Sequence, residues 1–167
     1  MPEMPDDSVI YPLATELSQC LCAELGDASP CFCGVIVGED IPVEYAGDCE
    51  DCGAAYVRVT QAFPSTTAFP APDEQGRCGS LIAFILSVGV VRCVPVGDDA
   101  GNPPTPEEMA EVARQALADQ AAIRRAITCC FGEKYEDAQY VLGTMTPLPN
   151  TGGVMGVEWD VTVQEPF

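Results

Sequence analysis

Ten cysteines in 167 residues carry most of the reactive chemistry open to this chain: Cys20-x-Cys22, Cys31-x-Cys33, Cys49-x-x-Cys52, the single Cys78 and Cys93, and the adjacent Cys129 and Cys130. Four of them, Cys31, Cys33, Cys49 and Cys52, could close a thiolate tetrahedron around zinc. The first pair is one residue short of the usual two-residue knuckle, and a C-x-C on a strand lacks the tight turn that wraps a metal. A redox dithiol at Cys49 and Cys52 is disfavoured by Asp48, Glu50 and Asp51, because neighbouring negative charge raises a thiol pKa where redox catalysis needs it lowered. Two readings remain: buried thiols acting as small hydrophobes, and disulfides. The even count and the clustering between residues 20 and 78 favour disulfides, in an assembly that leaves the reducing cell. The spacing leaves their pairing open, and no metal or other cofactor is expected.

The chain has no histidine, which removes Ser-His-Asp and Cys-His mechanisms, imidazole metal sites and the usual general base near neutral pH. No Asp/Glu pair has a spacing that marks an acid–base couple, so the expectation is a protein that is not an enzyme. Seven basic residues against 26 acidic ones give a formal net charge of −19. Such a surface repels nucleic-acid phosphates and anionic lipid heads, which need Lys or Arg partners. It suits a passage to which DNA must not stick, and equally it keeps an abundant assembly protein soluble. The opening Met1–Asp7 is acidic and proline-bearing, without the basic start and apolar run of a secretion signal. The longest apolar run, around residues 81–91, is about half the length needed to span a bilayer. Synthesis in the cytoplasm is expected.

The elements that must position these residues can be read in order. Residues 1–8 form an acidic flexible tail and 9–167 a single domain. Ile10, Leu13, Leu17, Leu21 and Leu25 recur at helical spacing, predicting a helix over about 9–25 that stops at Gly26. Cys20 falls on its apolar face and Cys22 well off it. Strands are expected at Cys33–Val37, Ile41–Tyr45 and Ala55–Phe63, the last with Val57 and Val59 on one face and Tyr56, Arg58 and Thr60 on the other. Residues 64–79 read as a loop, and Ser80–Val96 as a long central strand. Thr105-Pro106-Glu107-Glu108 opens a second helix through about residue 130 with a capping box. Its expected buried stripe is Met109, Val112, Ala116, Ile123 and Ile127. After it come an irregular segment, a strand at Tyr140–Gly143, a loop at Pro149–Gly156 and a closing strand. In that strand Val157, Trp159, Val161 and Val163 alternate with a wet face of Glu158, Asp160, Thr162 and Gln164. The fold class is therefore α+β, a mostly antiparallel sheet flanked by two main helices on one face and ending on a C-terminal strand. A strand finishing a sheet points to an assembly role.

Several segments taken together resemble neck proteins of long-tailed bacteriophages, closest to the tail-terminator proteins of siphovirus-type phages of actinobacteria. They are Tyr11-Pro12-Leu13, Cys31-Phe32-Cys33-Gly34-Val35, Gly89-Val90-Val91-Arg92-Cys93, Arg124-Arg125-Ala126-Ile127 and the ending Gly152–Gln164. The glycine-rich turn and strand at the end are the most specific of these. The resemblance implies a small α+β subunit of a six-membered ring in the virion neck, assembled in the host cytoplasm. Such a ring caps the tail tube, ends its polymerisation and offers a surface to a head-side connector or stopper protein, while the genome passes through its hole without specific binding. It implies no catalytic residue, cofactor or membrane partner. Alternatives are another head–tail connector component (stopper or adaptor) and, from a different class, a cysteine-rich zinc-binding module. A head-to-tail ring contact needs two different, complementary surfaces. One such contact is expected near the turn that carries Asn150, Gly152, Gly153 and Gly156, whereas Trp159 is expected in the core.

Overall fold

The computed structural model describes residues 9–38, 41, 52–77, 81–136, 139–151 and 153–164. The expected tail, most of the expected strand at 41–45, Cys49, Cys78 and Gly152 lie outside the described residues. Helix α1 spans Ile10–Leu25 and is followed by a 3-10 turn at Gly26–Ala28. Strands β1 (Phe32–Ile36), β2 (Gly53–Ser65) and β3 (Leu81–Cys93) precede helix α2 (Pro106–Arg125), which runs into a π-helical segment at Ala126–Phe131 and a short helical turn, Gly132–Lys134. Strands β4 (Tyr140–Thr151) and β5 (Val154–Gln164) complete the order. The sheet runs β1-β2-β3-β5-β4, with β1 parallel to β2 and every other pair antiparallel. This is the expected α+β architecture.

The apolar spacing explains why both helices share one face. Leu13, Leu17 and Leu21 of α1 meet Ile123, Ile127 and Phe131 above the inward residues Val57, Leu86, Val88 and Val161. The π-helical segment seats Phe131 at the bottom of this core, fully buried, with its ring 4.8 Å from that of Tyr135. The capping box is complete: the Thr105 hydroxyl accepts from the Glu108 amide at 3.2 Å, and the Glu108 carboxylate accepts from the Thr105 amide at 2.8 Å. The Thr105 amide, and then its hydroxyl, donate to the Glu108 carboxylate and hold it below its ordinary range.

Several sequence expectations need correction. The region before the last strand is not a long loop. Strand β4 extends through Thr151 and forms a hairpin with β5, pairing Pro147 with Val157 and Leu148 with Gly156. Pro147 and Pro149 fit there because β4 is an edge strand, where a missing backbone donor costs no internal ladder bond. The outer face of β5 is not wholly wet, since Glu158 and Gln164 are buried. Each has found partners: Gln164 Nε2 donates to Ser65 Oγ at 3.0 Å and to the Thr66 carbonyl at 2.8 Å, and Glu158 belongs to a polar cluster described below. Finally, the buried stripe of α2 begins late. Its only buried residues are Asp119, Ala122 and Ile123, whereas Met109 is exposed and Val112 and Ala116 are half-buried.

The helix-free face also carries a small core of Ile36, Ala54, Tyr56 and Val91. Tyr56 was expected on a polar face, yet it is fully buried. Its ring lies over Gly89, its partner across the β2–β3 ladder. A methyl group at Gly89 would meet Tyr56 Cε1 at 2.9 Å, with the phenol carbon and oxygen nearer still. Gly89→Ala is expected to destabilise by about 1–3 kcal/mol through this overpacking, seen as a lower urea midpoint with an unchanged slope.

Candidate functional site

The cysteines resolve into bridges between elements. Cys20 is bonded to Cys130, tying α1 to the π-helical segment; Cys22 to Cys33, tying α1 to β1; and Cys52 to Cys93, tying the start of β2 to the end of β3. Cys31 is disulfide-bonded as well, and Cys129 is an exposed free thiol. Of the four zinc candidates, Cys31, Cys33 and Cys52 thus hold their sulfurs in disulfides, and Cys49 lies outside the described residues. A sulfur in a disulfide has no thiolate to offer a metal. Among the described residues no three Cys, Asp or Glu side chains gather as a metal site would require. Sequence reasoning separated Cys20 from Cys22 correctly, because two positions along a helix put the side chains on different faces.

Two polar clusters sit in the sheet. In the first, register places Tyr56, Gly89 and Glu158 side by side on β2, β3 and β5. The glycine leaves room for Tyr56 Oη to reach across and donate to Glu158 Oε2 at 2.6 Å, while Arg58 Nη2 donates to Glu158 Oε1 at 3.0 Å. Next along, Ser87 Oγ donates to Asp160 Oδ1 at 2.6 Å. Burial, followed by the hydrogen bond and the charge of Glu158, pushes the Tyr56 phenol well above its ordinary value of 10.0. The folded protein therefore holds this proton where an unfolded chain has lost it. The associated stability is complete below pH 10 and falls above it, by about 1.4 kcal/mol per pH unit for one group. Urea titrations between pH 8 and 11 are expected to show this fall, and Tyr56→Phe to reduce it.

The second cluster joins the sheet to α2. Arg92 donates through Nε to Asp119 Oδ2 at 2.7 Å and through Nη2 to Asp119 Oδ1 at 2.8 Å, and Nη2 also donates to the Ala28 carbonyl at 2.7 Å. Gln115, one turn before Asp119, donates to Oδ1 at 3.1 Å. The fork of the guanidinium matches the carboxylate, the geometry in which Arg outperforms Lys. Sequence reasoning missed this node. The available signal was an acidic residue between Ala116 and Ile123, on the face that should have been apolar.

Beyond that node, the first half of α2 stands away from the sheet and leaves a cleft of about 330 Å³. Its walls include Val94 and Pro95 after β3, Val112 and Ala116 of α2, and Met155 and Val157 of β5, with Glu108 and Glu111 also lining it. The cleft is apolar with an acidic border.

The turn expected near a subunit contact lies by the end of β3. The backbone oxygen of Gly153 accepts from the Val94 amide at 2.8 Å, and its φ of 80° is one that a side chain would strain. A Cβ on Gly156 would run into the Val90 and Val91 backbone. Gly153 thus serves the turn and Gly156 the close approach of β5 to β3, so bulky substitutions here disturb folding and do not isolate assembly. Trp159 is half-buried and packs against the main core. Among the described residues, no helix is long and apolar enough to cross a membrane. The chain matches no protein-family model and no curated protein sequence.

Proposed function

We propose that this chain is a structural, non-catalytic subunit of a phage neck. In this reading it forms a ring, with six copies as the expected number, that caps the tail tube, ends its polymerisation and receives a head-side connector. The observation that carries the reading is a sheet with two unlike ends. Among the described residues, it finishes on β1, five residues long and parallel to its neighbour, and on β4, twelve residues long and antiparallel. A head-to-tail ring contact joins two different surfaces of identical copies, and such asymmetry supplies them. The net charge of −19 supports the same reading, because a lumen of such subunits repels the passing genome.

The disulfides fit a particle that must survive outside the cell, where oxidising conditions maintain them. Assembly in a reducing cytoplasm would precede bridge formation, which would then lock a fold already supported by its core. The test is the mass of the purified protein in solution. A closed ring near six times 17.7 kDa, with a central hole in negative-stain images, is the expected result. A monomer at all concentrations up to about 100 μM, well above what a stable ring contact of standard size requires, would count against it.

A further inference from the structure

We infer that the cleft beneath the first half of α2 is a docking site for a different protein, which inserts an apolar side chain flanked by Lys or Arg. The first thirteen residues of α2, from position 106 to 118, include no buried residue, although the helix is well capped. Beneath them Val112, Ala116, Met155 and Val157 line an apolar cavity of about 330 Å³, room for one or two large side chains. An amphipathic helix normally covers such a face with its own sheet; no described residue of this chain covers it here.

Charge selects the occupant. This half of α2 carries Glu107, Glu108 and Glu111 against Arg114 alone. At the inner end, Arg92 and Asp119 neutralise each other. An incoming cation next to the apolar anchor is therefore attracted, and an incoming carboxylate is repelled. A second copy of this chain fits poorly. Of its seven basic residues, Arg58, Arg92, Arg114, Arg125 and Lys134 are each in an ion pair with a carboxylate of the same copy. Against 26 acidic residues, little positive charge remains for a neighbour's acidic border. The partner is thus a basic protein. This site chemistry stands without the neck reading; within that reading, the partner is the tube or the head-side ring and not the adjacent subunit.

The probes are three fluorescein-labelled peptides: Arg-Arg-Leu-Phe-Leu-Arg-Arg, its glutamate-flanked counterpart, and Arg-Arg-Gly-Ser-Gly-Arg-Arg. Polarisation against the full oxidised chain is expected to show the first binding at least tenfold more tightly than either other. Its affinity should weaken several-fold between 50 and 300 mM salt, as attraction between exposed charges does. Val112→Asp should reduce that binding at least tenfold with unchanged thermal unfolding, although it makes the protein more acidic. The methyl NMR signal of Met155 in the wild-type protein reads occupancy of the cleft without any substitution, and should shift with the first peptide. Equal binding of both arginine-flanked peptides would reduce the effect to general charge attraction and overturn the proposal. So would an unmoved Met155 signal, or one that shifts with protein concentration instead, which would assign the cleft to a second copy.

Discussion

Replacing Cys20 and Cys130 together with alanine is expected to lower the melting temperature of the oxidised protein by roughly 10–15 °C. The bridge joins residues 110 positions apart and so constrains most of the unfolded chain. Loop-closure entropy for that length is worth about 4–5 kcal/mol, and each kcal/mol moves the midpoint of a domain this size by about 2–4 °C. Alanine is the right replacement because Cys20 is 1% exposed, and a serine hydroxyl would add an unrelated burial cost there. Cys22–Cys33, separated by only 11 residues, should contribute less, about 3 kcal/mol or under. Calorimetry of the two alanine pairs checks both values and their order. Equal effects would mean that local packing, not chain constraint, sets the contribution of these bridges. Reductant should lower the wild-type midpoint strongly and the double-alanine midpoint less.

Glu158→Leu is expected to cost about 3–5 kcal/mol, the usual consequence of removing one side of a buried ion pair. The Arg58 and Glu158 side chains are 16% and 10% exposed, so water replaces the lost carboxylate only in part. Tyr56 loses its acceptor in the same step, and its phenol is buried. The informative comparison is the triple variant Tyr56→Phe, Arg58→Met, Glu158→Leu. Apolar groups of similar size remove the partners along with the charge, and such replacements often come out neutral or stabilising. Denaturant unfolding of the single and triple variants is therefore expected to give a large loss and then substantial recovery. Failure to recover would show that the cluster fixes the β2–β3–β5 register beyond its pairwise energy.

The sequence revealed those elements whose burial follows a simple period. Leu13, Leu17 and Leu21 declared α1, the alternation from Val157 to Val163 declared the inner face of β5, and Thr105 with Glu108 declared the start of α2. Hidden features depend on what lies across the fold. Glu158 reads as a solvated position until the ladder sets it beside Gly89 and Tyr56. Asp119 reads as a flaw in an apolar stripe until Arg92 reaches it from β3. Proline at residues 147 and 149 disfavours an internal strand, yet the edge strand β4 accommodates both. Disulfide pairing was illegible because it depends on which helix faces meet, and the roles of Gly153 in a turn and of Gly156 in a close approach of β5 to β3 depend on neighbours that the sequence does not name. The cleft escaped notice because Val112 and Ala116 fit a core stripe whether or not anything in the chain covers them.

The neck assignment is tested most directly by electron microscopy of phage particles treated with gold-tagged antibody against this chain. Gold at the head–tail junction, on tailed particles and at the upper end of free tails, is the expected result. Gold at the tail tip, or no gold on any particle, would contradict the assignment.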